Sequence, residues 1–382
     1  MQASVPFNPP RGVLRLFQAL AVVGGITLVA GLSLIPERTW ANMLLASNYL
    51  VGLALGGLVL VALHYVTGAR WSVPLRRLPE AMAVALPLAV AGLLAVLVLQ
   101  PALYSWSAPV PTGEEHVSAL RAFWLERPFF LVRALAYVAI WLTFAALIVR
   151  NSRRQDLTAE PRLTGKNVRL SAGFLVAFGV TCWLSSYDWI MSLEPDWSST
   201  IFGVYNFSGL FLSALAGVAL LAICLRRQAS LKALITEDRL HDLGTLVFAF
   251  SSFWMYTWFC QYLLIWYTNH PEETSYLVRR WQGFWPAVGL IDVVLNWGIP
   301  FVVLLFRAAK RSPVVLAVVC LVVLVGRWVD LYLMIFPSQG AAVTLPGPAE
   351  AGIILGAVGV FTLAVLHTLG KASLVPIHDP RY

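Results

Sequence analysis

Nine ionisable side chains lie in, or at the ends of, long apolar runs, and they sort into two groups by depth. Arg133, Asp188, Asp292, Arg327 and Asp330 form the first. A charge in hydrocarbon is costly unless it is paired or wetted, so each of these residues implies a partner. Thr181, Ser185 and Asp188 recur at i, i+4 and i+7 and share one helical face; Asp292 and Asn296 share another, and Arg327 faces with Asp330. Pairing Arg133 with Asp188, and Arg327 with Asp292 or Asp330, leaves one carboxylate over. A surplus buried acid can take up and release a proton, although the same residues would also serve as helix-locking ion pairs. The second group is His64, Glu80, His241 and Asp242, at the opposite ends of the runs. These read either as entrances to a proton path or, for Glu80 and Asp242, as acids meeting the positive end of a helix dipole. His367 reads as interfacial.

Other chemistry is poorly served. Cys182, Cys224, Cys260 and Cys320 are isolated in separate apolar segments, with no C-x-x-C or cysteine–histidine cluster. No two histidines stand at i, i+3 or i+4, and there is no phosphate-binding glycine loop or nucleophile elbow. The residues therefore predict no metal site, no haem or iron–sulfur cluster bound by motif, and no self-contained catalytic constellation.

The elements that must position the two groups follow from composition. Of 382 residues, 59% are hydrophobic and only 12% charged, which makes lipid the solvent for most of the chain. The net charge of +8 sits in short clusters between apolar runs, the pattern of topology anchors and not of a nucleic-acid surface. Ten runs are long enough to cross a hydrocarbon core as helices: Val13 to Leu34, Met43 to Val66, Ala81 to Tyr104, Pro128 to Val149, Leu170 to Met191, Ile201 to Leu225, Leu243 to Tyr267, Phe284 to Phe306, Pro313 to Phe336 and Ala351 to Leu369. The expected fold is an all-α integral membrane protein. The first run is too long, and lacks the cleavage site, for a signal peptide. Twenty of the 27 lysines and arginines fall on the side of the two termini, five on the other, and Arg133 and Arg327 lie inside helices. The positive-inside rule then predicts cytoplasmic termini.

Helices two to five and six to nine repeat one another. Gly52-Leu53-Ala54-Leu55 parallels Gly209-Leu210-Phe211-Leu212; Glu80 with Gln100 parallels Asp242 with Gln261; F-A-A-L-I-V-R ending at Arg150 parallels V-V-L-L-F-R ending at Arg307. Asp188 precedes Pro195 by the same seven residues that separate Asp330 from Pro337. Four helices per copy give two like-oriented bundles, residues 43–192 and 198–337, flanked by helices one and ten in a single membrane domain.

The segment Ser185 to Phe202, S-S-Y-D-W-I-M-S-L-E-P-D-W-S-S-T-I-F, continues as G-V-Y-N-F-S-G. With H-D-L-G-T-L-V-F-A-F-S-S-F-W from His241 to Trp254 and Q-Y-L-L-I-W-Y-T-N-H-P-E-E-T from Gln261 to Thr274, it resembles the ActF membrane subunits of alternative complex III, a bacterial quinol oxidoreductase. The resemblance extends across most of the chain. It implies the NrfD-like, polysulfide-reductase membrane-subunit fold in the bacterial inner membrane. It also implies partners: an iron–sulfur subunit and haem c subunits that hold the redox centres, and a paralogous membrane subunit with the principal quinol site. By the same resemblance the outer carboxylate of the S-Y-D-W block is Asp188, and proton paths run through the membrane subunits.

The residues and the resemblance together predict a non-catalytic subunit of a quinol:cytochrome c (or similar acceptor) oxidoreductase. It would act as scaffold and proton path through Arg133, Asp188, Asp292, Arg327 and Asp330, with His64, Glu80, His241 and Asp242 on the cytoplasmic side. Quinone or lipid would be its only small-molecule contacts. Two alternatives stay open: a proton-coupled secondary transporter, in keeping with parallel repeats and buried acids, and a subunit that itself binds quinone.

Overall fold

The computed structural model describes residues 7–107, 119–227, 232, 234–340, 345–371, 373–376 and 378–381. It is 85% helical, and no strand occurs among the described residues. Ten helices are long and apolar enough to span a membrane: α1 Arg11–Leu34, α2 Pro36–Thr67, α3 Val73–Leu99, α4 Arg127–Thr158, α5 Arg162–Leu193, α6 Phe202–Arg226, α7 Glu237–Thr268, α8 Trp285–Leu304, α9 Pro313–Gln339 and α10 Pro348–Gly370. The chain is a ten-span all-α membrane protein. Its two ends lie at one face of the bundle, here the terminal face, and the other is the far face.

Several helices outrun their apolar windows. α4 and α5 each hold 32 residues, about 48 Å of helix against a hydrocarbon core of about 30 Å. Their extra turns at the terminal face are polar and zipped together. Asn151 donates to Asn167 at 3.0 Å, Gln155 to Thr164 at 2.8 Å, and Asn167 to the Ile148 carbonyl at 3.1 Å. Hydropathy alone ends these helices early because it scores such residues as loop. α3 is interrupted between Val84 and Leu86, where Pro87 has no N–H for the preceding turn.

Eight of the ten spans pack as two rings of four. In the first bundle α2 packs on α3 and α5, and α4 closes the ring against α3 and α5; α6, α7, α8 and α9 make the same ring in the second. The two rings meet through their first helices, α2 and α6, which are the most buried spans. α1 and α10 pair along their length and rest on the first bundle. Gly24 and Gly356 set that crossing, since a Cβ on Gly24 would fall 2.2 Å from the Cα of Gly356. Outward faces are apolar: α9 exposes Val314, Val318, Leu321 and Val325 at helical spacing while burying Val319, Val323, Arg327 and Asp330. That pattern inverts a soluble helix and suits lipid.

At the terminal face the chain folds back on itself. Leu374 and Val375 are buried, and Asp379 pairs with Arg76 at the start of α3. Arg381 donates to the Tyr65 carbonyl at 3.1 Å, and Gln155 donates to the His378 carbonyl at 3.1 Å. Beneath this tail Glu80 binds Arg76 at 3.2 Å, Arg77 at 2.5 Å and Ser152 at 2.6 Å, while Arg77 also meets Asp156. Asp379→Ala removes one of two acids from a guanidinium that is 3% exposed. Because Glu80 remains, we expect a loss of about 2 kcal/mol, below the 3–5 kcal/mol of a fully orphaned buried charge. Thermal unfolding in detergent should show a midpoint several degrees lower; an unchanged midpoint would mean that the tail is not docked in solution.

Candidate functional site

Near the far face of the first bundle, Asp188 of α5 is 1% exposed and fully partnered. Arg133 of α4 grips it with two bonds, Nε to Oδ2 at 3.0 Å and Nη2 to Oδ1 at 2.9 Å. Tyr137 donates its hydroxyl at 2.9 Å, one helical turn beyond Arg133, and Trp124 donates its indole N–H at 2.9 Å. Arg133 spends its remaining Nη1 on the Trp124 carbonyl at 2.8 Å and lies over the rings of Trp124 and Phe129 at 4.1 and 4.5 Å. Bidentate geometry and two further donors satisfy this carboxylate as a buried ion requires. The expected Arg133–Asp188 pair is present. Thr181, on the same face, accepts from Trp141 at 2.8 Å.

The second bundle is built on the same plan with different endings. Asp330 of α9 takes hydrogen bonds from Tyr205 of α6 and from Trp254 of α7, the latter at 3.3 Å, and pairs with Arg327 one turn earlier on its own helix. Of the two expected partners, Arg327 has chosen Asp330. It passes across Gly209 of α6, where any side chain would collide: a Cβ there would stand 2.5 Å from Nη1. Its other end donates to Asn206 at 2.5 Å, and Asn206 donates in turn to Ser186 of α5 at 2.9 Å, which ties the two bundles together.

Asp292 of α8 is thereby left over. It is 0% exposed; its Oδ1 accepts from Asn296 at 2.7 Å, and its Oδ2 has no hydrogen-bond partner. α8 is locally widened into a π-turn at Val294–Gly298, a distortion frequent at functional sites. Its cause is in the sequence. Pro300 cannot donate to the carbonyl of Asn296 and crowds it, and Ser251 of α7 donates to that carbonyl instead at 2.6 Å.

Asp292 lines a cavity of about 350 Å³ between α7, α8 and the surface helix Pro271–Arg280. Six aromatic residues line it, Tyr205, Trp258, Tyr262, Tyr276, Trp281 and Trp285, among aliphatic side chains and Arg280. Gln261 also lines it, and the side-chain Oε1 of that residue is buried without a partner. Trp281 and Leu290 reach both the cavity and the outer surface. Tyr276 stacks on Trp197 at 3.7 Å, with Arg280 3.3 Å above its ring. Burial pushes the Tyr276 phenol up to about 12, so at neutral pH it keeps its proton. The residues that line the cavity carry two buried acceptor oxygens without partners and six aromatic rings, the profile of a site for an aromatic ligand that brings donors.

The terminal-face residues do not act as a set. Glu80 stands in the first turn of the helical segment Arg77–Val84, as the dipole reading expects, and is also enclosed by Arg76, Arg77 and Ser152. Asp242 does not meet a helix start, because α7 begins at Glu237 with Thr236 as its N-cap, and Asp242 stands in the second turn. His241 and Asp242 approach each other at 3.8 Å in a partly exposed position, whereas both ring nitrogens of His64 are buried without partners. Between Glu80 and Asp188 the first bundle is filled by Trp141, Phe174 and Phe178, and no hydrogen bond joins the two groups among the described residues. Missed from the sequence were Trp124, Tyr137, Tyr205, Trp254 and Gln261, all polar-tipped residues in a chain with 15 Trp and 12 Tyr. Glu350 was missed as well; it joins the start of α10 to α2 through Arg38 at 2.6 Å and Asn42 at 2.8 Å. No protein-family model matches the chain, and no curated protein is detectably similar to it.

Proposed function

We propose that this chain is a membrane subunit of a bacterial quinol-oxidising complex of the alternative complex III type, with both termini in the cytoplasm. In this reading the first bundle is scaffold, since every oxygen of Asp188 is already satisfied. The second bundle receives a quinol headgroup. One observation carries it: two buried acceptors, Asp292 Oδ2 and Gln261 Oε1, lack partners on residues that line one aromatic cavity. A hydroquinone ring presents two hydroxyl donors, and the oxidised quinone presents none. Oxidation releases two electrons and two protons; the electrons pass to an iron–sulfur or haem c group of a partner subunit. Asp292 takes one hydroxyl proton, Gln261 orients the ring, and the second proton leaves to water at the far face past Trp281, which reaches the outer surface. The resemblance of the Ser185–Phe202 block and the excess of arginine and lysine at the terminal face support the placement.

Binding tests this directly. The purified full chain, titrated with short-tailed ubiquinol and menaquinol, is expected to bind the reduced form more tightly than the quinone. Gly289 lines the cavity with open space around it, so Gly289→Phe should fill the site and abolish binding while preserving the fold. Equal binding by Gly289→Phe, or no binding by the native chain, overturns the quinol site. Gradient-driven solute uptake by the chain alone in liposomes would point to a carrier instead.

A further inference from the structure

A second cavity lies at the terminal face of the first bundle, on its outer side. It is a groove of about 590 Å³ between α3 and α4. Its floor is apolar, with Pro87 of α3 and Leu142, Ala145 and Val149 of α4, and its mouth carries Arg150, Arg153 and Arg154. No acidic residue lines it.

The three arginines stand at i, i+3 and i+4 and so share a helix face. None makes a salt bridge or a side-chain hydrogen bond among the described residues. The local acids are committed one layer further in: Glu80 to Arg76 and Arg77, Asp156 to Arg77, and Asp379 to Arg76. The carboxylates that would otherwise answer these guanidiniums are used up, and Arg153 is held half-buried against the groove. On α4 the switch from Val149 to Arg150 marks the level where hydrocarbon gives way to headgroups. From Leu142 to Val149 the apolar floor runs about 10 Å, about two thirds of one leaflet of hydrocarbon, and the arginines continue beyond it.

We infer that this groove binds an anionic phospholipid, its phosphate held by Arg150, Arg153 and Arg154 and an acyl chain laid along the apolar floor. Basic pockets between membrane helices suit such headgroups, because the cations cancel the phosphate while the walls replace bulk lipid. The site stands apart from the aromatic cavity, which lies in the other bundle.

Native mass spectrometry of the full chain, released from membranes containing phosphatidylglycerol, cardiolipin and phosphatidylcholine, tests the inference. The native chain should retain phosphatidylglycerol or cardiolipin. The variant R150Q/R153Q/R154Q should bind them about 100-fold more weakly. Arg169→Gln, an exposed terminal-face arginine outside the groove, should bind as the native chain does. Should the triple variant fail to fold, Ala146→Trp serves, since Ala146 lines the groove and is exposed; it should expel the lipid with all three arginines intact. Equal retention of phosphatidylcholine, the same loss in Arg169→Gln, undiminished lipid in Ala146→Trp, or displacement of the lipid by millimolar inorganic phosphate would each overturn the site.

Discussion

Arg133→Met is expected to leave little folded protein. The substitution keeps the unbranched apolar stem of the side chain and removes the bidentate partner of a carboxylate that is 1% exposed. Stranding one member of a buried ion pair costs about 3–5 kcal/mol, a large part of the 5–15 kcal/mol by which proteins are ordinarily stable. Tyr137 and Trp124 still donate to Asp188, but they bring no charge. The double variant R133M/D188N removes both charges and should recover most of the yield, because a matched neutral pair is cheap to bury where a lone ion is not. Fluorescence-detected size-exclusion profiles of the two variants decide it. If the single and double variants behave alike, the pair is not what holds α4 to α5.

Asp292→Asn should do the reverse, keeping the fold and losing the chemistry. The amide is nearly the same shape, can still accept from Asn296 through its own oxygen, and puts an N–H2 donor where the unpartnered Oδ2 stood, which the hydroxyl oxygen of a bound quinol can accept. What it cannot do is accept a proton from a bound hydroxyl. Positioned proton transfer contributes about 10²–10⁴-fold, so quinol turnover by the assembled complex should fall at least about 100-fold while quinol still binds. Binding retained with turnover lost assigns the proton step to Asp292. Turnover unchanged in this variant, but abolished by Gly289→Phe, would keep the quinol site and give the proton to another acceptor.

The large-scale architecture was legible because lipid imposes a simple rule: long apolar runs must be helices, and basic residues gather on one side. Asp188 and Arg133 stood out for the same reason, as charges where charges are costly. Two kinds of information were hidden. Helix ends were obscured at Asn151, Gln155 and Asn167, where polar residues pair between helices and extend α4 and α5 past the hydrocarbon. The donors around the acids were obscured because Tyr137, Tyr205 and Trp254 are indistinguishable by hydropathy from the aromatic packing around them. The choice of Arg327 between Asp330 and Asp292 depended on its path over Gly209, which no spacing on α9 alone discloses. The π-turn had a visible cause in Pro300, but its consequence, a carbonyl handed to Ser251, needed the neighbouring helix.

The pairing of α1 with α10 bears on how the molecule is made. α1 leaves the ribosome ahead of α2 to α9, yet its principal partner is α10, which follows them. Roughly 300 residues must be translated between them, which at about 5–20 residues per second takes about 15–60 s. Throughout that interval the glycine of α1 that will meet Gly356 faces lipid or the insertion machinery. Both bundles can close before the outer pair forms, so a span made ahead of both bundles is locked only after them, and the docking of α10 doubles as a check that both have been made.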